Sequence, residues 1–492
     1  MKNFRTLLFH LYVAITAVSC TSSVTEAPPL PDYKTPAWAN HDLPVWPESP
    51  PDHYVTYHLA HPGPGRISPG RGNTGDPNAA FYHKGRYHLH YIYKTERNEP
   101  VYAHVSSTDM LHWKWHPTVL TEKSMGHGMF SGTGFFTKEG KPAIIYHGLH
   151  SNRNQIAYAL DDNLDKWSKP EAIEPKDANG EIPEMRHWDP DIWIDNDSYY
   201  ALSGGGDAQL MKSNDLKNWT HLGSLLHPDF PKDLGVPKHT DISCANMFKI
   251  GNKWMLLCIS HTMGCRYYLG DFRDEQYLPN FHGFMNWKKQ GDMGSYFAPE
   301  SFLTKDGRRV MQAWLRLGTR PANLQSLPRE LSLPEDGVLR IKPLRELEAL
   351  RHGGKTKRNI TLKKNKPHLL RDISGDNIEL KVKFAATLAN SFGVNVLCDK
   401  EGNKGLKIAY NAKSKVLEFG DINPPFELKK GEDLTLRIFI DKDVVEVFVN
   451  DRQAAANGHK YEPKQVYVNL FADQDGVQVK EVKSWKMKTI YK

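Results

Sequence analysis

At 492 residues the chain is too long for one ordinary core, because domains run to about 100 to 200 residues, so two or three domains are expected. Charged residues at 25%, hydrophobic residues at 39% and a mean hydropathy of -0.58 exclude both a polytopic membrane protein and a disordered chain. The 64 Lys plus Arg exceed the 57 Asp plus Glu by only 7, and no basic run concentrates that excess, so nucleic acid is excluded as an expected partner. Aromatic residues are plentiful, with 12 Trp, 21 Tyr and 20 Phe. Most belong in a core, but flat aromatic faces are also what sugar rings stack on.

Lys2 and Arg5 precede the apolar run Leu7 to Val18, which closes on Ala17-Val18-Ser19-Cys20. That is the plan of a secretory signal over residues 1–19, and it is well short of the roughly 20 residues that span a bilayer. Cys20 stands where a bacterial lipoprotein carries its acylated cysteine, and residues 20–45 read as a tether. The expectation is a periplasmic or surface-exposed protein held to a membrane by lipid on Cys20. The remaining cysteines, Cys244, Cys258, Cys265 and Cys398, lack the close paired spacing of a zinc site and are expected as buried free thiols.

Five segments then share one form: a polar opening, an apolar strand, a tight turn and a second apolar strand. They open at Asp76, Gly132, Asp189, Cys244 and Ala298, in steps of 56, 57, 55 and 54 residues. Each has the period-two alternation of a hairpin. Three are followed by an echo ending in Trp113, Trp167 or Trp219, which predicts the openings of outer strands. Repetition of small antiparallel sheets at this period predicts a five-bladed β-propeller over residues 46–350. The basic stretch Arg351 to Arg358 reads as a solvated linker. Alternating strands beyond it, clearest at Leu434–Ile440 and Val444–Val449, predict a β-sandwich over residues 359–492, so the whole chain is expected to be all-β.

A propeller points the first strand of each blade at its central channel, so polar residues at the repeat starts converge. Asp76 and Asp189 are each followed by proline, Asp241 lies just before the fourth repeat, and Glu300 follows Ala298-Pro299. Several carboxyls around one aromatic-rimmed funnel suit glycoside hydrolysis, which needs one as nucleophile or base and one to protonate the leaving oxygen. A calcium site is the alternative, but its usual alternate-position spacing within one loop is not clear here.

These residues also carry a resemblance. Asp76-Pro77-Asn78, preceded by Tyr57-His58, resembles the Asn-Asp-Pro-Asn-Gly signature of glycoside hydrolase family 32, the invertases, inulinases and levanases. Phe130-Ser131-Gly132 resembles its Phe-Ser-Gly motif, and Trp188-Asp189-Pro190 its Arg-Asp-Pro motif. Tyr296 to Phe302 is similar to a late-blade motif with Gln in place of Glu300, and Asp441 to Asn450 to the C-terminal strand pair. The resemblance implies Asp76 as nucleophile, Asp189 as a clamp on fructose hydroxyls, and Trp188, Phe130, Ser131 and Asn78 as substrate-binding residues. It implies a retaining hydrolase of β-fructofuranosyl or related furanosyl bonds in oligo- or polysaccharides, with no metal and no cofactor. The departures are Gly75 and Ala79 beside the nucleophile, Trp188 for Arg, and Ser243 where the family carries its acid/base Glu. Asp241, two residues earlier on the same face of an extended segment, is the first candidate for a relocated acid and Glu300 the second. A carbohydrate-binding propeller without turnover, and an enzyme acting on another furanoside such as an arabinoside, remain as alternatives.

Overall fold

The computed structural model describes residues 50–61, 74–94, 98–287, 295–318 and 323–491, with three isolated positions before residue 50. The leader and Cys20 lie outside the described residues. The chain is all-β: among the described residues helix is confined to Glu122–Met125 and a 3-10 turn at Arg345–Leu350. Each predicted hairpin founds one antiparallel sheet. The five inner strands are Thr74–His83, Gly128–Phe136, Asp191–Asp195, Ser243–Ile250 and Tyr296–Leu303, and each pairs with the strand that follows it. Four of these sheets have four strands and the fifth has five. The echoes sit at the outer edges as expected. Their Met110, Leu164 and Leu216 share a left-handed backbone, with φ of 62°, 60° and 64°, and the indoles of Trp167 and Trp219 donate back to the Leu164 and Leu216 carbonyls.

The inner strands touch one another in a closed cycle, first to second, second to third, and so on until the fifth meets the first. A belt of side chains two residues beyond each repeat start ties that cycle together. Asn78 Oδ1 accepts the Gly132 N–H at 3.0 Å, and Asp191 Oδ2 the Met247 N–H at 2.5 Å. Asn246 Oδ1 accepts the Ser301 N–H at 2.7 Å, and Glu300 Oε1 the Ala80 N–H at 3.2 Å. The fifth position is Gly134, which has no side chain to offer. Inner strands have no ladder bonds to each other, so their buried N–H groups need such acceptors. Asn246 holds the fifth inner strand twice, since its Nδ2 also donates to Glu300 Oε2 at 2.9 Å. Asn246→Ala is therefore expected to strand the buried Ser301 N–H, to take one hydrogen bond from the buried Glu300 carboxyl, and to destabilise by about 2 to 4 kcal/mol, read as a lowered midpoint in chemical denaturation.

Beyond Leu350 come a six-stranded and a five-stranded sheet. The basic stretch expected as a linker is instead the first part of a strand, Arg351–Thr361, on the edge of the six-stranded sheet against Gln478–Met487. Most of its side chains are exposed, which removes the alternation that would betray a strand, and a run of Lys and Arg on an open edge discourages pairing with another chain. Leu434–Asp441 and Val444–Val449 bury both faces. Ile438, Ile440, Val445 and Val447 join Val394, Ile408 and Leu470 of the five-stranded sheet in one apolar cluster, while Phe439, Val444 and Phe448 share a cluster with Leu331 of the fifth sheet and with Leu327 just before that strand. The four cysteines of the described residues are free thiols, three of them buried.

The outward face of that strand pair carries a buried ionic clamp. Asp441 accepts the backbone N–H groups of Thr56, Tyr57 and His58 at 2.7, 2.9 and 2.9 Å, and the Thr56 hydroxyl at 2.9 Å. The His58 ring lies between Asp441 at 2.9 Å and Glu446 at 3.3 Å, and Glu446 also binds Arg329 at 2.7 Å and the Leu327 N–H. Residues 56–60 are thereby pinned to both halves of the chain, with Ala60 and His58 also bonded to the Tyr491 hydroxyl.

Candidate active site

The inner strands become irregular where they reach the polar opening. Register shifts fall between Thr74 and Pro77, Met129 and Gly132, Ser243 and Asn246, and Phe297 and Pro299. Asp189, Cys244 and Ala298 take φ of 29°, 45° and 45°. A bulge adds one residue on one strand and re-aims its side chain, so these kinks turn the repeat-start residues toward one another. Gly132 is required here: a Cβ at this position would stand 2.0 Å from the Ile145 carbonyl oxygen and 2.5 Å from the Tyr146 Cα.

Asp76 and Asp189 meet across Cys244. The Ser131 hydroxyl donates to Asp76 Oδ2 at 2.6 Å, and the Cys244 thiol lies 3.7 Å from that oxygen and 3.7 Å from Asp189 Oδ2. The Cys244 N–H also donates to Asp189 Oδ2 at 3.2 Å. Asn78 bonds the Asp76 carbonyl through Nδ2 at 2.8 Å while its Oδ1 holds Gly132, so it fixes the backbone of both neighbours rather than presenting itself to a ligand. Burial pushes the Asp76 carboxyl up, against the hydrogen bonds of Ser131 and Cys244. Burial and then the Asp76 charge push Asp189 up to about 7. Two carboxyls in one desolvated opening cannot both ionise freely, and the pair retains a proton close to neutrality.

Aromatic rings line this opening. Phe130 stacks parallel to His147 with centroids 6.2 Å apart, His147 lies 5.1 Å from Trp188, and Trp188 lies 6.4 Å from His261, which is in turn 6.1 Å from Phe297. The Arg186 guanidinium covers the Trp188 ring at 4.1 Å. Trp188 and Asp76 are partly accessible, whereas Asp189 and Ser131 are buried.

Neither carboxyl expected as the displaced acid has what a donor needs. Asp241 does stand beside the opening, but its Oδ2 accepts the His261 N–H at 3.0 Å and meets His261 Nδ1 at 2.7 Å, while its Oδ1 accepts the Ser243 hydroxyl at 2.9 Å. Burial raises Asp241, but these hydrogen bonds outweigh it and hold the carboxyl below its ordinary value. It is ionised near neutrality and has no proton to give. Glu300 is 1% exposed, and its oxygens are taken by Ala80, Asn246 and the Thr133 hydroxyl. It belongs to the belt, one layer behind the opening, so it cannot reach a leaving oxygen. Its carboxyl is pushed well up by burial.

Cys244, His147 and His261 are the residues that sequence reasoning did not assign to the site. One signal pointed to His261. Ser243 pairs with Ile259 across the fourth hairpin, and continuing that register by two residues on each strand sets Asp241 opposite His261. Among the described residues the one grouping of three metal-ligating side chains is His88, His104 and His116, buried within the first sheet. His88 Nδ1 meets His104 Nε2, and His116 is held by Ser106 and Asp165, so these rings are tied within their own sheet and not directed at the opening.

Residues 66–343 match the glycosyl hydrolases family 32 N-terminal domain and residues 346–486 the glycosyl hydrolases family 32 C-terminal domain. The chain belongs to glycosyl hydrolase family 32. Among the relatives of this family member, the sucrose-6-phosphate hydrolase of Escherichia coli is 25% identical over 477 residues, covering 88% of this chain and 95% of that protein. The levanase of Bacillus subtilis is 26% identical over 479 residues, covering 85% and 69%. Among solved structures, fructan 1-exohydrolase IIa from Cichorium intybus superposes with a TM-score of 0.72 at 18% identity, over 89% of this chain and 98% of that one. The two positions expected from the motif comparison to depart from the family pattern touch each other: Trp188 donates its indole N–H to the hydroxyl of Ser243 at 3.0 Å.

Proposed function

We propose that the chain hydrolyses terminal β-fructofuranosyl or closely related furanosyl bonds in oligo- or polysaccharides, with retention of configuration. Family membership makes it a glycosidase. The observation that carries the substrate reading is Asp76 and Asp189 in one desolvated opening, bridged by Cys244, within motifs that resemble those of the family to which the chain belongs. In this reading Asp76 attacks the anomeric carbon, Ser131 orients its carboxylate, and Asp189 holds ring hydroxyls, accepting or donating according to its proton. Phe130 and Trp188 supply apolar walls for the sugar faces. We read the five small sheets as blades of a propeller over residues 46–350, which the closed cycle of inner strands supports, and the two later sheets as a sandwich. Ser243 is the observation favouring sugar binding without cleavage, since a hydroxyl is far too weak an acid to protonate a leaving sugar near neutral pH. Incubating the purified protein with sucrose, inulin, levan and an aryl β-fructofuranoside, and following the anomer first released by NMR, decides between these readings. Release of the β-anomer first is the expected result; binding without product on every substrate would establish the non-catalytic alternative.

The same reading has the protein reach external glycans from a membrane anchor on Cys20. Cys20→Ser is expected to move the protein from the membrane fraction to the soluble periplasm with unchanged activity. Identical fractionation of both forms would rule the anchor out.

A further inference from the structure

Loss of the family Glu leaves the reaction without an evident proton donor, yet the fourth sheet delivers another titratable group to the same spot. His261 lies in the turn between Lys253–Ser260 and Gly264–Arg273, where the hairpin register sets it across from Asp241. Asp241 holds it twice, through the backbone N–H at 3.0 Å and through Nδ1 at 2.7 Å. This fixes the ring and leaves Nε2 without a partner among the described residues. The side chain is 48% exposed, and it lies between Trp188 and Phe297 on the rim of the opening. Asp241 also accepts the hydroxyl of Ser243, so one carboxylate joins His261 to the residue in the vacated Glu position.

We propose that His261 is the proton donor of this enzyme and that Asp241 is its positioning residue. The inference rests on the fructosidase reading above. In the first step the Nε2–H of the imidazolium passes its proton to the glycosidic oxygen as the C–O bond breaks and its electron pair stays on that oxygen. The Asp76 carboxylate forms the new bond to the anomeric carbon. In the second step neutral His261 takes a proton from water, the water oxygen bonds to the anomeric carbon, and Asp76 leaves with its electron pair, which restores both groups. The charged groups facing His261 are Asp241, Asp189 and Asp76. Arg266 approaches only the Asp241 carbonyl, and Arg186 lies over Trp188. The hydrogen bond to Asp241 and then the three carboxylate charges, opposed by partial burial, raise His261 above its ordinary value. An imidazolium with a carboxylate behind it thus replaces a carboxylic acid, a substitution that keeps the donor protonated toward neutral pH.

Two variants and two substrates test this. With sucrose, whose leaving group is a poor one, His261→Gln is expected to lower kcat/KM by about 10²- to 10⁴-fold; with an aryl β-fructofuranoside, whose phenolate departs unaided, the loss should stay within about tenfold. The fall of wild-type kcat/KM on the alkaline side should disappear in His261→Gln and move to lower pH in Asp241→Asn, a shift that loss of packing alone would not produce. The aryl activity also reports that each variant is folded. Unchanged turnover of sucrose by His261→Gln, or equal losses on both substrates, would overturn the assignment. The wild type separates the two levels: no turnover of either substrate would overturn the fructosidase reading itself, whereas wild-type turnover with an inactive Asp76→Asn beside a fully active His261→Gln refutes only the role given to His261.

Discussion

Asp76→Asn is expected to lower kcat by roughly 10⁴-fold or more on every furanoside the wild type turns over, while Kd for a fructose-containing ligand changes little. The amide keeps the shape of the side chain and the reach to Ser131, whose hydroxyl now donates at 2.6 Å, but it cannot form the bond to the anomeric carbon. Steady-state kinetics paired with calorimetric binding separate the two quantities. The pH dependence carries a sign of its own. Burial raises Asp76, so in the nucleophile role proposed for it the carboxyl ionises later than an exposed aspartate, and kcat/KM is expected to rise with pH on the acid side. Asp189, up to about 7, gives up its proton over the neutral range, and the two steps belong to the pair rather than to either residue. Asp189→Asn should remove the repulsion between the two charges and move the acid limb downward, in addition to any loss of rate.

Asp441→Asn is expected to destabilise the protein by about 3 to 5 kcal/mol, the range for breaking one side of a buried, hydrogen-bonded charge pair. The carboxylate has no contact with the opening, so activity at low temperature should persist while the thermal midpoint drops. Burial would lower His58, but its hydrogen bonds to Asp441 and Glu446 and their charges raise it from its ordinary 6.5 to about 9. A group raised on folding adds stability that is complete below its unfolded value and vanishes as pH climbs through its folded one. The wild type should therefore lose this contribution between about pH 6.5 and 9, and Asp441→Asn should show a flatter profile over that window. Parallel profiles for the two proteins would mean that His58 is not protonated in the clamp.

The repeats were legible because every hairpin alternates apolar and polar residues about a Gly, Asn or Asp turn, and because their starts recur at nearly constant steps. That Asp76, Asp189 and Ser131 would converge on one opening was legible from the repeat starts and the family motifs together. Glu300 misled for a geometric reason: Ala298, with its left-handed φ, is the fifth counterpart of Asp189 and Cys244, so two residues further on the side chain enters the belt instead of the opening. Asp241 was assigned to the right neighbourhood but the wrong protonation state, because its ionisation depends on His261, a partner 20 residues away that only the hairpin register brings near. Arg351 to Arg358 escaped as a strand because exposure of most of its side chains erased the pattern by which strands are recognised. The ionic clamp was illegible for a similar reason, since it joins residues more than 380 positions apart.

The belt around the inner strands has a consequence for how such a molecule can change over evolutionary time. Its four links are made by Asn78, Asp191, Asn246 and Glu300, three kinds of side chain that differ in length or charge, and each is fitted to one particular neighbour. The repeats are consequently not interchangeable parts. Copying or deleting one would juxtapose a donor with an acceptor of the wrong reach at the new seam, so the ring resists gain or loss of a unit even though the hairpins themselves are alike. The step after Gly134, which lacks such a link, is the one junction where that constraint is relaxed, and it is there that an insertion would meet the least resistance.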